Sequence, residues 1–289
     1  MGPAIYRTEA GGQAVRERYR AFLAAWPIAN TKRHVPTSFG ETFVVSCGPE
    51  GAPDVLLLHG SAANSASWMG DVALLANGRR IHAIDLIGEP GLSAPSRPPL
   101  AGGGYAEWLG EVLGALSVEH AALIGISLGG WVALDYATRC PGNVSAVVLL
   151  CPGGVGRQRN VLLWAAPLSL LGRWGRERIL ERLAGGPRPP GGVPPAVRAF
   201  GEFMDLIFAN FRPRNETLPL FDDARLRKLS MSLLAILGAR DAMIDSRATR
   251  ARLARCCPQA EILWLPRAGH ILTGHAADID AFLTRKIPT

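Results

Sequence analysis

Residues 121–130 read Ala121-Ala122-Leu123-Ile124-Gly125-Ile126-Ser127-Leu128-Gly129-Gly130, and the fold turns on them. An apolar run of strand length ends in Gly-x-Ser-x-Gly, and the stretch that follows, 128–139, has helical length. A serine on a tight strand-to-helix turn sits in strained backbone geometry. Flanking glycines let neighbouring chain segments pass close, and the helix N-terminus behind the serine favours developing negative charge. Ser127 is the candidate nucleophile. The bare five-residue pattern also occurs by chance in turns; the strand before it, the helix after it and Gly130 lift it above that alternative.

Outward from this turn, short uninterrupted apolar runs recur at 55–58, 81–84, 146–150, 233–237 and 262–265, separated by stretches of helical length at 68–76, 105–116, 246–256 and 276–285. Runs without polar alternation fit strands buried on both faces, as parallel sheets covered by helices require. The fold class is α/β, a doubly wound, mostly parallel sheet. Ahead of it, residues 12–26 place Val15, Tyr19, Leu23 and Trp26 at helical spacing, ended by Pro27, and β-like stretches at 34–36 and 42–47 suggest an antiparallel hairpin at the sheet's edge.

One interval breaks the rhythm. About eighty residues separate the runs ending at Leu150 and starting at Leu233, more than a crossover needs, so an inserted helical cap is expected. The chain divides into core residues 1–152, a cap at 153–228 and core residues 229–289. Helical patterns at 173–183 and 197–211 flank a Pro/Gly-rich stretch at 185–195. Trp164, Leu168 and Phe203 are candidate substrate contacts, or equally residues that pack the cap onto the core.

A serine hydroxyl needs a base to take its proton and a third group to orient that base. Asp241 follows the run 233–237 and His270 follows the run 262–265, both just past the carboxyl ends of predicted strands, where open α/β sheets gather their ligand-binding groups. Asp245 rivals Asp241 but suits the N-cap of the helix at 246, and His275 rivals His270 but falls at the start of the last helix. His34, His82 and His120 suggest strand-edge or loop positions without an arguable role. For the oxyanion hole, Leu58-His59-Gly60-Ser61 closes an early strand. The backbone N–H of Ser61 is the natural first donor and that of Leu128 the second. His59 could be taken for a base, but a loop-propping role fits better.

These residues resemble the α/β-hydrolase family. The likeness covers the His59-Gly60 turn with Trp68 beyond it, Asp85 before Gly91-Leu92-Ser93, the 125–129 turn, Gly238 to Asp241 and Ala268-Gly269-His270. It implies an α/β-hydrolase fold with Ser127, Asp241 and His270 as catalytic triad. Trp26-Pro27, Pro36-Thr37-Ser38-Phe39-Gly40, Asp85-Leu86-Ile87-Gly88 and Tyr105-Ala106-Glu107-Trp108-Leu109 are similar to a group of bacterial carboxylesterases. The family's usual glycine-rich loop after Asp85 reads Glu89-Pro90-Gly91-Leu92-Ser93-Ala94 here, a departure that leaves that loop's shape open. The resemblance implies hydrolysis of a small or medium apolar carboxylic ester through an acyl-enzyme. The alternatives on the same triad are a thioesterase or cyclase, a C–C hydrolase, a lyase or a cofactor-free haloperoxidase. A serine at 127 excludes the branches that use aspartate there, and a complete triad argues against a non-catalytic binding protein.

Composition narrows the remaining classes. With 48% hydrophobic and 19% charged residues, the 289-residue chain can bury a core and lacks the signature of disorder. Five cysteines without metal-ligand spacing, and residues 1–9 without an apolar stretch, predict a reducing, cytoplasmic setting, and the triad chemistry calls for no metal and no cofactor. The longest apolar stretch, 161–171, falls short of the ~20 residues that span a bilayer. The net charge of +7 sits mostly at 151–228, where 13 basic residues face 7 acidic ones. Interleaved with apolar residues at helical spacing, they suggest a solvated cap face, or one that greets amphiphilic or anionic substrates, rather than a nucleic-acid surface. The expected partner is a small-molecule ester or thioester; the sequence carries no sign of oligomeric state.

Overall fold

The computed structural model describes residues 5–187 and 194–287. In chain order it runs α1 (Glu9–Ala24), β1 (Asn30–Val35), β2 (Thr42–Cys47), β3 (Asp54–Leu58), α2 (Val72–Leu75), β4 (Arg80–Ile84), α3 (Gly104–Leu116), β5 (Ala121–Ile126) and α4 (Leu128–Arg139). It continues through β6 (Val144–Leu150), α5 (Leu162–Ser169), α6 (Gly172–Ala184), α7 (Pro195–Asn210), α8 (Asp223–Leu226), β7 (Ser232–Gly238), α9 (Ser246–Cys256), β8 (Ala260–Leu265) and α10 (Ala276–Lys286). The eight strands form one sheet of order β1-β2-β4-β3-β5-β6-β7-β8. Pairing is antiparallel at β1–β2 and β2–β4 and parallel elsewhere.

The pleat sorts the apolar runs between two cores. Along β3, Leu56 and Leu58 join one cluster with Trp108, Val112, Leu123 and Leu134, while Val55 and Leu57 join the other with Tyr19, Ile81, Ile124 and Phe282. Both faces are buried because α3, α4 and α9 cover one and α1, α2 and α10 the other, which is why no alternation is visible in the sequence.

Local signals explain where the elements differ from the sequence expectation. The first helix begins at Glu9, three residues early, because Thr8 caps it: its Oγ1 accepts the Gly11 N–H at 3.0 Å. The first hairpin strand is longer than 34–36; residues 31–34 are exposed on the sheet's edge, so no apolar pattern announced them. The helix expected over 68–76 is a 3-10 turn at Ser65–Trp68 and a single turn, α2, with Gly70 between them. β8, expected to be buried on both faces, is the other edge strand and is only half-buried throughout. Between β6 and β7 the chain leaves the sheet for α5 to α8. Most of the Pro/Gly stretch, residues 188–193, lies outside the described residues.

The N-terminal helix braces this helical insert. The Tyr19 ring stacks on Phe203 of α7 with centroids 6.2 Å apart, and Phe22 lies 5.0 Å from the same ring. Tyr6 meets Phe211 edge-on at 6.2 Å.

A second tie closes the C-terminus. Arg79, 1% exposed, donates to Asp280 Oδ1 at 2.6 Å and to Thr284 Oγ1 at 2.6 Å, fixing α10 to the α2–β4 turn. Replacing the anion strands a buried guanidinium. Asp280→Ala is expected to lower unfolding free energy by about 2 to 3 kcal/mol, the modest figure reflecting the partial exposure of Asp280. Urea denaturation reads this directly, and an unchanged midpoint would refute it.

Candidate active site

The Ser127 turn is as strained as the Gly-x-Ser-x-Gly pattern requires. Ser127 has φ 50° and ψ −104°, a left-handed conformation that a side chain disfavours. The surroundings hold it there: its N–H donates to Leu150 O at 2.9 Å, and its carbonyl accepts from Gly153 N and Trp131 N, each at 3.0 Å. A Cβ at Gly125 would collide with the Gly129 carbonyl, and one at Gly129 with the Leu58 carbonyl. Leu128 is the first residue of α4, so its N–H has no carbonyl a turn earlier in the helix to meet.

Asp241 and His270 meet as anticipated. The Ala239 N–H binds Leu265 O at 2.9 Å and the Arg240 N–H binds Ala268 O at 2.9 Å, zipping together the loops that follow β7 and β8. Asp241, 2% exposed, accepts from Met243 N at 2.7 Å and Ile244 N at 2.9 Å through Oδ1, and meets His270 Nδ1 at 2.8 Å through Oδ2. Burial alone would raise its carboxyl, but the bond and charge of His270 and the two backbone donors hold it below its ordinary value. With Nδ1–H committed to Asp241, the imidazole Nε2 is the free acceptor. Ser127 Oγ makes no hydrogen bond to the imidazole in this structure; such bonds commonly tighten only around substrate.

The histidine loop is carried by the insert. The N–H groups of His270 and Ile271 donate to Leu183 O at 2.7 and 3.0 Å, and that of Gly269 to Ala184 O at 2.9 Å. They satisfy carbonyls at the C-terminus of α6 that the helix itself leaves open.

The third part is the turn after β3, tied by side chains to the loop after β4. His59 Nδ1 meets Gly60 O at 2.7 Å and its Nε2 accepts the Leu86 N–H at 2.9 Å, which makes it a loop prop; burial holds its pKa below the ordinary value. Asn64 Nδ2 donates to Pro90 O at 2.9 Å. Asp85 Oδ1 accepts from Ser65 N at 2.9 Å, Ser65 Oγ at 2.7 Å and Tyr19 OH at 2.7 Å. Glu89 Oε2 accepts the Ala62 N–H at 2.6 Å. The Ser61 N–H has no acceptor among the described residues.

The rivals resolve locally. Asp245 caps α9, accepting from Ala248 N at 3.0 Å, and His275 sits at the start of α10 bonded to Asp278 at 2.9 Å. His82 is not at an edge: it is buried in β4, between Ser46 Oγ at 2.8 Å and Asp54 Oδ1 at 2.9 Å. Of the substrate-contact candidates, Phe203 is 1% exposed and packed against α1, so its place is in the brace. Trp164 is half-buried under Arg182, whose guanidinium lies 4.4 Å above its ring, and Leu168 is half-buried on the same helix, α5.

Two residues escaped the sequence reading. Cys151, at φ 43°, places its thiol beside the dyad, with Sγ, an Asp241 oxygen and a His270 nitrogen all within 4.8 Å of one another. Such a trio could hold a metal, but Asp241 and His270 already bond each other. Burial first, then the Asp241 charge, pushes the thiol far above its ordinary pKa, which disfavours ligation. The other residue is Glu89, whose only signal was its departure from a glycine-rich loop.

Comparison with known proteins gives the family. Residues 55–282 match the model of the alpha/beta hydrolase family. Carboxylesterase YbfK of Bacillus subtilis (strain 168) is 30% identical over 266 residues, covering 89% of this chain and 87% of the relative. The crystal structure of carboxylesterase CesB (YbfK) from Bacillus subtilis superposes with a TM-score of 0.75 at 25% identity, covering 96% of this chain and 94% of that one. That of naproxen esterase from Bacillus subtilis reaches a TM-score of 0.80 at 24% identity, covering 96% of this chain and 99% of the other, a likeness of fold. With its mostly parallel eight-stranded sheet and a family match over residues 55–282, the chain belongs to the alpha/beta hydrolases.

Proposed function

We propose that the protein is a serine carboxylesterase acting on a small or medium apolar ester through an acyl-enzyme. The carrying observation is the 2.8 Å Asp241–His270 bond at the same end of the sheet as the strained Ser127 turn. The carboxylesterase relative at 30% identity supports the same reaction class.

In this mechanism the Ser127 oxygen attacks the ester carbonyl carbon while His270 Nε2 takes its proton. The carbonyl oxygen becomes an oxyanion, stabilised by the N–H groups of Ser61 and Leu128 and by the N-terminal end of α4. Asp241 holds the imidazole tautomer and the imidazolium charge. As the tetrahedral centre collapses, His270 gives the proton to the departing alcohol. Water, deprotonated by the same nitrogen, then attacks the acyl carbonyl and releases the acid and free Ser127.

Residues 153–228 act as a cap between core segments 1–152 and 229–289, with Trp164 and Leu168 of α5 as substrate contacts. The five free cysteines, four of them buried, suit a reducing, cytoplasmic setting. Among the described residues no helix is long and apolar enough to cross a membrane.

Ser127→Ala is expected to cut kcat on p-nitrophenyl butyrate by about 10⁴-fold or more and to abolish fluorophosphonate labelling. Retained turnover would sink the assignment, and a strong preference for acyl thioesters would move the protein to that class. A second expectation concerns Asp241. Its carboxyl is depressed in the folded state, so it adds stability above the ordinary aspartate pKa that fades as pH falls through the depressed value. Asp241→Asn should therefore lower Tm at pH 7 more than at pH 3, and equal losses at both would contradict this. Leu168→Ala should raise KM for a p-nitrophenyl octanoate about fivefold, about 1 kcal/mol of lost apolar contact, with kcat little changed; unaltered KM would remove Leu168 from the acyl site.

A further inference from the structure

We propose that Glu89 is the positioning residue of the oxyanion turn: its buried carboxylate holds the Ser61–Ala62 backbone so that the Ser61 N–H stays free for the developing oxyanion. This rests on the reading of Ser61 and Leu128 as oxyanion donors.

Three observations carry it. Glu89 is 1% exposed, and a carboxylate is costly to bury unless something uses it. Its Oε2 accepts the Ala62 N–H at 2.6 Å, and Ser61 Oγ lies 3.4 Å from the same oxygen, so one carboxylate grips the turn at two consecutive residues. Ala62 has φ 56°, a left-handed conformation that costs an alanine about 1 kcal/mol and needs an external hold. The charge-assisted bond from Glu89 supplies one. With the Ala62 N–H engaged, the Ser61 N–H is left without an acceptor.

A negative charge beside an oxyanion hole would by itself oppose the reaction, and two guanidinium groups offset it. Arg97 Nε donates to Gly88 O at 3.1 Å, next to Glu89 in the chain. Arg214, from the segment after α7, has a side chain only 10% exposed whose Nη1 is buried without an acceptor. Both guanidinium charges act on Glu89, as do the phenols of Tyr6 and Tyr105 when ionised. Glu216 sits beyond them, 3.4 Å from Arg214 Nε. Asp85, the other buried carboxylate nearby, is occupied by Tyr19, Ser65 and Leu92. The balance favours burial: desolvation, offset by the Ala62 N–H, Arg97, Ser61 and Arg214, lifts Glu89 to about 7. Protonation near neutrality weakens the grip on the turn. Activity then depends on Glu89 being ionised as well as on His270 being neutral.

The test is the pH profile of kcat for p-nitrophenyl butyrate in the wild type, Glu89→Gln and Glu89→Gln/Ala62→Gly, with Ser127→Ala assayed beside them. The wild-type profile should carry an inflection near pH 7, where Glu89 takes its proton, that Glu89→Gln lacks. Glu89→Gln should lower kcat about 10- to 100-fold at pH 8 with KM within about twofold. Its inactivation by diethyl p-nitrophenyl phosphate should slow in proportion. Glycine adopts the left-handed conformation freely, so Ala62→Gly should restore part of the lost kcat. A wild-type profile without an inflection near pH 7 overturns the proposal whether or not Glu89→Gln folds. So does a Glu89→Gln enzyme with unchanged kcat, or one whose loss only tracks its unfolded fraction by circular dichroism. Hydrolysis retained by Ser127→Ala defeats the serine mechanism instead, which separates the two failures.

Discussion

The constraint on which the site depends is the approach of α4 to the end of β3. The Leu58 carbonyl occupies the space a Cβ of residue 129 would fill, and the Gly129 carbonyl does the same to residue 125. No larger residue lets the helix start so near the strands, and without that approach Ser127 would not be forced into its strained conformation or set the first N–H of α4 beside it. The strain is tolerable because the carbonyl of Ser127 receives two N–H groups and its own N–H reaches Leu150. The turn is thus over-determined by backbone alone, leaving the serine hydroxyl unencumbered by structural duty.

The turn after β3 and the loop after β4 are joined by buried polar side chains rather than by backbone pairing. His59, Asn64, Asp85 and Glu89 each join the turn after β3 to the loop after β4. Buried polar groups are expensive unless satisfied, and here each of these four side chains has at least one hydrogen-bond partner, so the network favours one loop geometry. Tyr19 extends it: its hydroxyl binds Asp85 while its ring stacks on Phe203, linking α1, the loop network and α7 through one side chain.

Ser127, Asp241 and His270 were legible in the sequence because each follows an apolar run within a few residues, where a parallel sheet gathers its chemistry. The parallel order of the sheet was legible for the same reason. Phe203 was not: an aromatic at helical spacing looks the same whether it faces a substrate or another helix, and only the position of α1 decides. Cys151 counted only as one of five cysteines without metal-ligand spacing, since nothing near it in the chain announces the dyad it touches. Glu89 was visible only as a break in a familiar loop, its partner Ala62 lying 27 residues earlier. The edge strand β1 buries too little to leave a periodic trace, while β8 showed as the run 262–265, which overstated its burial.

The hydrogen bonds between the C-terminus of α6 and residues 269–271 bear on how such a chain can diversify. Three glycines make the junction possible: a Cβ at Gly185, Gly238 or Gly269 would strike backbone of the opposing loop. The insert is therefore not a free accessory laid over a finished core. A different helical segment exchanged into this scaffold would have to bring its own helix end to the histidine loop, or leave three backbone donors bare beside the His270 imidazole. Variation of the insert is channelled toward α5 and the first turns of α6, where Leu163, Leu170, Leu171 and Trp174 stand exposed, and away from the seam at Leu183 to Gly185.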